Sequence, residues 1–157
     1  MKFLRVLVVT IFLVGITHSV NAQHPKLTSP TDTTSLKMIG VLAASYLYQS
    51  YLNIGYLADL HAVDAYEYDK LDENLNIVIQ IVGGVRDELK WYTLLVPLKS
   101  DSQYVDILVQ TSDLLLKEAG ALRKYFQTED KQDAAIYLHL NEQARTVLVT
   151  ILGMKED

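Results

Sequence analysis

The side chains best suited to bind a metal or a proton lie close together near the middle of this 157-residue chain. Asp59, His61, Asp64 and Glu67 place three carboxylates and one imidazole within a short segment. Both groups are common metal ligands, and histidine also titrates near neutral pH. The same residue types are frequent at the solvated end of a helix, where the apolar pattern fades. We favour the solvated helix end, and the sequence predicts no metal site.

Other kinds of catalytic or cofactor site find little support in the sequence. A di-metal helical bundle needs Glu-x-x-His motifs, but the residue at the histidine position is Gln132 after Glu129 and Arg145 after Glu142, and the other five glutamates also lack the motif. The chain has no cysteine, which excludes disulfides, thiolate metal sites and covalently attached haem. No Gly-x-Ser-x-Gly motif marks a nucleophile. We therefore predict a protein that is not an enzyme and has no catalytic residue.

Non-covalent haem would need two ligands that face each other inside a helical bundle. Met38 and His139 lie in the first and last helical segments, where cytochrome b562-like proteins carry their methionine and histidine ligands. Both residues lie away from the apolar stripe of their segments. The sequence therefore predicts no haem and no other cofactor.

Four segments repeat apolar residues at alternating steps of three and four, the spacing of a helix face that packs on other helices. The predicted inward positions of the first segment are Leu36, Ile39, Ala43, Tyr46, Ser50, Asn53, Leu57 and Leu60. Those of the second are Leu71, Leu75, Val78, Val82, Val85, Leu89, Tyr92 and Val96. The third has Val105, Leu108, Ser112, Leu115, Ala119, Leu122 and Phe126, and the fourth has Tyr137, Leu140, Ala144, Val147 and Ile151. Short connections between these segments predict an all-α, antiparallel up-and-down four-helix bundle over residues 35–154, followed by a polar tail at 155–157.

Two features interrupt the helical pattern. Ser50 and Asn53 are polar residues within the first inward series. They are expected to form either a hydrogen-bonded polar layer in the core or a feature that fixes the register of the helices. The pair Gly83-Gly84 lies in the middle of the second helix and indicates a close helix crossing or a slight bend. Pro97 is expected to end the second helix, and Gly153 the fourth.

The first helix has an uncharged segment, residues 38–58, that is unusual for a helix at a protein surface. With Tyr46 taken as inward, a rotation of 100° per residue places mainly tyrosine, leucine and small residues on the outer side. The predicted interaction face consists of Val41, Tyr48, Tyr51, Leu52 and Gly55. A dimer contact, a protein partner or a ligand groove would explain this face, as would neighbouring helices that cover it. Its polar residues argue against a membrane span.

The first 22 residues have the pattern of a secretory signal peptide. Lys2 and Arg5 precede an apolar run over residues 6–16, and Val20 and Ala22 are small residues at the positions that a signal peptidase reads. An uncleaved N-terminal anchor is the alternative, although the apolar run is short for a span. Residues 23–34 contain two prolines and predict a flexible lead-in to the bundle. The chain is therefore expected to be exported, to the periplasm or the medium.

Net charge narrows the range of partners. The formal net charge is −5, and removal of the two basic residues of the signal peptide would make it −7. An acidic chain without a basic run lacks the face that nucleic acid phosphates require. The sequence thus predicts an exported helical bundle that acts through protein–protein or self-association contacts of its first helix. A sensor-like bundle, or one that binds a small hydrophobic ligand between helices, is the alternative.

Overall fold

The computed structural model of the protein describes residues 33–93 and 99–154, and side chains over 37–93 and 103–154. The predicted signal peptide, all of the lead-in except its last two residues, Pro97 and the C-terminal tail lie outside these ranges. The predicted inward positions Leu36 and Val96 also lie outside the described side chains.

Four helices account for most of the described residues. They are α1 (Thr33–Ala62), α2 (Tyr68–Thr93), α3 (Lys99–Thr128) and α4 (Lys131–Leu152), and neither described range contains a strand. α1 begins two residues before the predicted boundary at residue 35. The predicted all-α class is confirmed, and the four helices are consistent with a four-helix bundle.

Contacts between the helices define their arrangement around the core. Among the described residues, no Cα atoms of α2 and α4 lie within 8 Å of each other, as expected of diagonal helices, whereas every other pair of helices comes within that distance. Arg123 near the end of α3 pairs with Asp72 near the start of α2, at 2.7 Å between Nε and Oδ1. Lys124 of α3 pairs with Asp133 in the first turn of α4, at 2.7 Å between Nζ and Oδ1. These pairs join the end of one helix to the start of its neighbour, as expected of antiparallel neighbours.

The predicted inward faces of α2 and α3 are confirmed, and that of α4 is confirmed in part. All seven predicted positions of α3 are buried, and the described positions of α2 are buried or half-buried. In α4, Tyr137 and Ala144 are buried, Leu140, Val147 and Ile151 are half-buried, and the unpredicted Leu148 is fully buried. Burial of these apolar side chains, at about 25 cal/mol per Å² removed from water, is the main term that favours the folded state.

The predicted inward face of α1 is confirmed in part. Ala43, Ser50 and Leu57 are buried and Ile39 and Leu60 are half-buried, as predicted. Tyr46 is 58% exposed and Asn53 is also exposed, whereas Leu47 and Ile54, one residue further along, are completely buried. α1 contacts all three other helices, so its buried arc is wider than a single heptad seam. Because residues 38–58 carry no charge, the sequence offers no wet side from which the rotation could be fixed.

The two polar residues that interrupt the predicted series have different environments. Ser50 is buried, and its hydroxyl donates to the carbonyl of Tyr46 in the preceding turn at 2.9 Å. Asn53 lies on the outside, where its side-chain oxygen accepts from Gln49 at 3.2 Å. No polar layer therefore forms from this pair, because Ser50 satisfies its hydroxyl within its own helix.

The turn before α4 and the end of α4 follow well-known capping rules. Asp130 caps the N-terminus of α4, where its side chain accepts from the backbone N–H of Gln132 at 2.7 Å. Gly153 adopts a left-handed conformation with φ of 63° and ends the helix, as predicted.

The interpretation of Gly83-Gly84 as a close helix crossing is wrong. A Cβ atom added at either residue would meet no other atom within 4 Å. Gly40 of α1 is the glycine at which the chain packs closely, because a Cβ there would lie 2.7 Å from Cε1 of Tyr104 in α3. Gly40 is therefore the residue that permits the close approach between α1 and this ring.

We expect Gly84→Ala to raise the free energy of unfolding by about 1 kcal/mol, because alanine loses less backbone entropy in a helix. Gly40→Ala should gain less than this or destabilise, since the ring of Tyr104 must move. Urea unfolding of both variants, alone and combined with Tyr104→Ala, measures the difference. If both alanine substitutions raised the free energy of unfolding equally while Tyr104 was intact, the close packing of Gly40 against Tyr104 would be contradicted.

Candidate functional site

The outward side of α1 is an apolar surface without charge. Its large side chains are 43–62% exposed. They are Met38, Val41, Leu42, Tyr46, Leu52 and Tyr56, and we call this set the α1 apolar face. The exposed residues between them, Ser45, Gln49 and Asn53, are polar but uncharged.

The size of this face sets it apart from the scattered apolar residues of an ordinary surface. Six large side chains at these exposures leave on the order of 600 Å² of side-chain surface in water, the upper end of what a typical monomer exposes in one patch. Lys37 and Asp59 are the nearest charged residues along the helix, one at each end of the face. An apolar patch bounded in this way is typical of a surface that contacts another molecule.

The five predicted interaction residues divide between two environments. Val41 and Leu52 are exposed and belong to the α1 apolar face. Tyr48 and Tyr51 are only half-exposed and pack against the core, with their ring centroids 6.3 Å apart. Gly55 is half-buried and lines a groove beside the face. Two of the five predicted residues thus lie on the exposed outer side of α1, and Tyr51, Leu52 and Gly55 line the groove described below.

Sequence reasoning missed Met38, Leu42, Tyr46 and Tyr56. Had Leu47 and Ile54 been taken as inward, a rotation of 100° per residue would have placed Met38, Leu42 and Tyr56 on the outer side and Tyr46 on the flank, at about 80–100° from the inward direction. Leucine and isoleucine are more often fully buried than tyrosine, whose hydroxyl favours the rim of a core. This difference in burial preference was the feature of the sequence that could have identified Leu47 and Ile54 as inward residues.

A groove of about 560 Å³ lies between the second half of α1 and the first half of α4, with one wall residue from α3. Four tyrosines, Tyr51, Tyr56, Tyr125 and Tyr137, contribute to its walls together with Asn141 and several apolar or small residues. Asp59 is the charged residue of this lining. The groove has the size of a site for a small organic ligand.

A buried carboxyl group lies behind this groove. Glu118 of α3 is completely buried, and its Oε1 accepts from Nδ2 of Asn141 at 2.7 Å. Its Oε2 is also buried and has no hydrogen-bond partner. Oδ1 of Asn141 in turn accepts from the hydroxyl of Tyr51 at 3.4 Å. The groove wall and Glu118 thus belong to one polar network that joins α1, α3 and α4.

Burial determines the protonation of this network. Loss of solvent raises the pKa of Glu118 to about 7, and the hydrogen bond from Asn141 offsets only part of that effect. Burial also raises the pKa values of Tyr137 and Tyr51, and the charge of Glu118 raises both further. Both tyrosines therefore keep their protons at neutral pH and can act as hydrogen-bond donors.

Glu118 was not singled out in the sequence. It directly precedes Ala119, a predicted inward position, and an isolated glutamate beside an apolar stripe is most often at the edge of a solvated face. The width of the buried arc on α3, which also takes in Thr111, brings Glu118 inside. The burial of Glu118 becomes evident only from the packing of α1 and α4 against α3.

The carboxylate and histidine cluster at the end of α1 does not converge. Asp59, Asp64 and Glu67 are exposed. The His61 ring packs instead on Tyr125 and Phe126 of α3, with centroid distances of 5.3 and 4.6 Å. Within residues 33–93 and 99–154, no three side chains of histidine, cysteine, aspartate or glutamate are placed to hold a metal ion.

The two residues considered as haem ligands lie on the surface. Met38 is 61% exposed, and exposed His139 forms a 3.1 Å hydrogen bond with Gln143 in its own helix. In the described part of the chain, no helix is both long enough and apolar enough to cross a bilayer.

Comparison of the chain with protein-family models, curated proteins and solved structures gives no match.

Proposed function

We propose that this chain is an exported, non-enzymatic, antiparallel up-and-down four-helix bundle that self-associates through the α1 apolar face. The observation that supports this function is the exposure of six large apolar side chains on one uncharged helix side. Covering such a surface with a second apolar surface removes it from water, which favours association.

The lack of charge on the α1 apolar face makes this face compatible with a second copy of the chain as the occupant. Each copy carries a net charge of −5, or −7 after loss of the signal peptide, so most orientations of two copies are repulsive. The α1 apolar face lets two copies meet without placing carboxylates opposite one another. A strongly charged partner would find no complementary charge there.

The shape of the face suits a two-fold contact. Met38 and Tyr56 are separated by about 27 Å along the helix axis, at 1.5 Å per residue. An antiparallel pair of α1 helices with its two-fold axis at Gln49 would place Leu42 of one copy beside Tyr56 of the other, and Tyr46 beside Leu52. With the polar residues between the apolar ones, such a contact approaches the roughly 800 Å² per partner of a standard interface.

The absence of cysteine makes a direct crosslinking test possible. We expect Gln49→Cys, at the centre of the face, to form a disulfide-linked dimer under mild oxidation, because the two-fold contact would bring the two sulfur atoms together. Gln80→Cys is the matched control, because Gln80 is an exposed glutamine on α2. Non-reducing electrophoresis measures both reactions.

Crosslinking that is faster at position 49 than at position 80 supports self-association. Equal and slow reaction at both positions would contradict it. In that case, protection of the face by a different protein from the same compartment would indicate a heterologous partner.

A further inference from the structure

We propose that the groove between α1 and α4 binds an organic cation, an ammonium group attached to an apolar body. The groove and Glu118 belong to a single copy of the chain, although the groove shares Leu52 and Tyr56 with the α1 apolar face. Four tyrosine rings, one exposed carboxylate and one buried carboxylate carry the argument.

The groove wall offers the two kinds of group that bind an ammonium ion. Tyr51, Tyr56, Tyr125 and Tyr137 line the groove, and the negative π face of a tyrosine ring attracts cations. Asp59 adds a carboxylate. The groove lining contains no lysine, arginine or histidine, so it has no side chain that would repel a cation or pair with an anion.

The hydrogen bond to Glu118 orients Asn141 toward the same ligand. An ionised carboxylate only accepts hydrogen bonds, so it holds the NH₂ group of Asn141 on its own side. The amide oxygen of Asn141 is left for the side of Tyr51, whose hydroxyl reaches it only at 3.4 Å. A bond this long leaves the oxygen able to accept from a ligand ammonium group.

The charge of Glu118 adds a second attraction. Its Oε2 has no hydrogen-bond partner among the described residues, and its Oε1 accepts from the neutral amide of Asn141 rather than from a cationic side chain. Arg145 lies near Tyr51, but it is also close to Glu142, with 3.5 Å between Nε and Oε2. A bound cation would thus balance a buried negative charge that the described side chains leave unbalanced.

The volume of the groove limits the size of the apolar part of the ligand. About 560 Å³ accommodates a ring and a short alkyl chain, and the remaining lining is largely apolar or small. The partner is therefore an amphiphilic amine rather than a bare metal ion.

Three probe compounds that share one carbon skeleton distinguish the contribution of charge to binding from that of apolar contact. 4-Phenylbutylamine, 4-phenylbutanol and 4-phenylbutyrate are titrated into the purified protein at pH 8 and followed by calorimetry. We expect the amine to bind at least about tenfold more tightly than the alcohol, and the butyrate to bind most weakly. Equal affinity for amine and alcohol, tighter binding of the butyrate, or no binding of the amine would overturn the proposal.

Variants assign the attraction to named groups. Asp59→Asn changes an exposed side chain and leaves the core intact, and Glu118→Gln keeps the shape of the buried residue. Each should weaken amine binding by roughly threefold to tenfold and leave alcohol binding unchanged. Glu88→Gln removes the same charge from the exposed surface of α2, and it should leave both affinities unchanged. An equal loss in Glu88→Gln would show that only the net charge matters, which would overturn the site.

Discussion

Glu118→Gln is expected to raise the free energy of unfolding by about 3 kcal/mol at pH 8. The unfolded carboxyl group loses its proton near the ordinary pKa of 4.5, whereas burial raises the pKa in the folded chain to about 7. Each unit of this difference corresponds to about 1.4 kcal/mol. Glutamine removes the charge, and its amide oxygen can still accept the hydrogen bond from Asn141.

The sign of the pH dependence follows from proton binding. Between pH 4.5 and 7 the folded protein holds a proton on Glu118 that the unfolded chain has released, so stability falls as the pH rises. Above pH 7 the loss is complete and constant. The gain from Glu118→Gln should therefore be small at pH 5 and large at pH 8.

Urea unfolding at pH 5 and pH 8 measures this effect, with Glu88→Gln as the control for the loss of one carboxylate. Asp133 does not interfere, because its hydrogen bond from Lys124 lowers its pKa and its contribution is lost only below about pH 4. If wild type were equally stable at both pH values, or if Glu118→Gln were less stable at pH 8, the buried and unbalanced charge would be contradicted.

Leu52→Glu is expected to weaken self-association by about a hundredfold or more. Leu52 is 43% exposed, so glutamate fits the isolated chain without strain. In the proposed dimer, the two introduced carboxylates would be dehydrated within an apolar contact. They would also add negative charge to two chains that are already acidic and repel each other. A hundredfold change in the dissociation constant corresponds to about 3 kcal/mol.

Ile77→Glu on α2 is the matched control, because Ile77 is 39% exposed and lies outside α1. Sedimentation equilibrium of both variants gives the two dissociation constants, and circular dichroism confirms that both remain helical. If both substitutions weaken the dimer equally, added negative charge alone is responsible. The α1 apolar face would then not be the contact.

The helices themselves could be predicted from the sequence because three of them alternate apolar and charged positions. In α3, Leu108 and Leu115 face inward, while Asp106 and Lys117 mark the wet side. α1 provides no such contrast over residues 38–58. Its helical nature was predictable, but the edges of its buried side were not: Ala43, Ser50 and Leu57 are buried as predicted, whereas Tyr46 and Asn53 are exposed.

The groove and Glu118 could not be predicted because each depends on several helices at once. Tyr51 and Asn141 lie 90 positions apart in the chain, and no spacing rule joins them. Glu118 becomes buried only when α1 and α4 both pack against α3. The apolar pattern of one helix indicates which side of that helix is buried. A site formed by three helices can be located only when the relative positions of the helices are known.

Sedimentation velocity of the wild-type chain, expressed from residue 23, tests the central claim most directly. As the concentration rises from low micromolar to submillimolar, we expect conversion from monomer to dimer, as apolar contacts follow mass action. The Leu52→Glu form should remain monomeric over the same range. A wild-type chain that stays monomeric throughout would contradict self-association through the α1 apolar face.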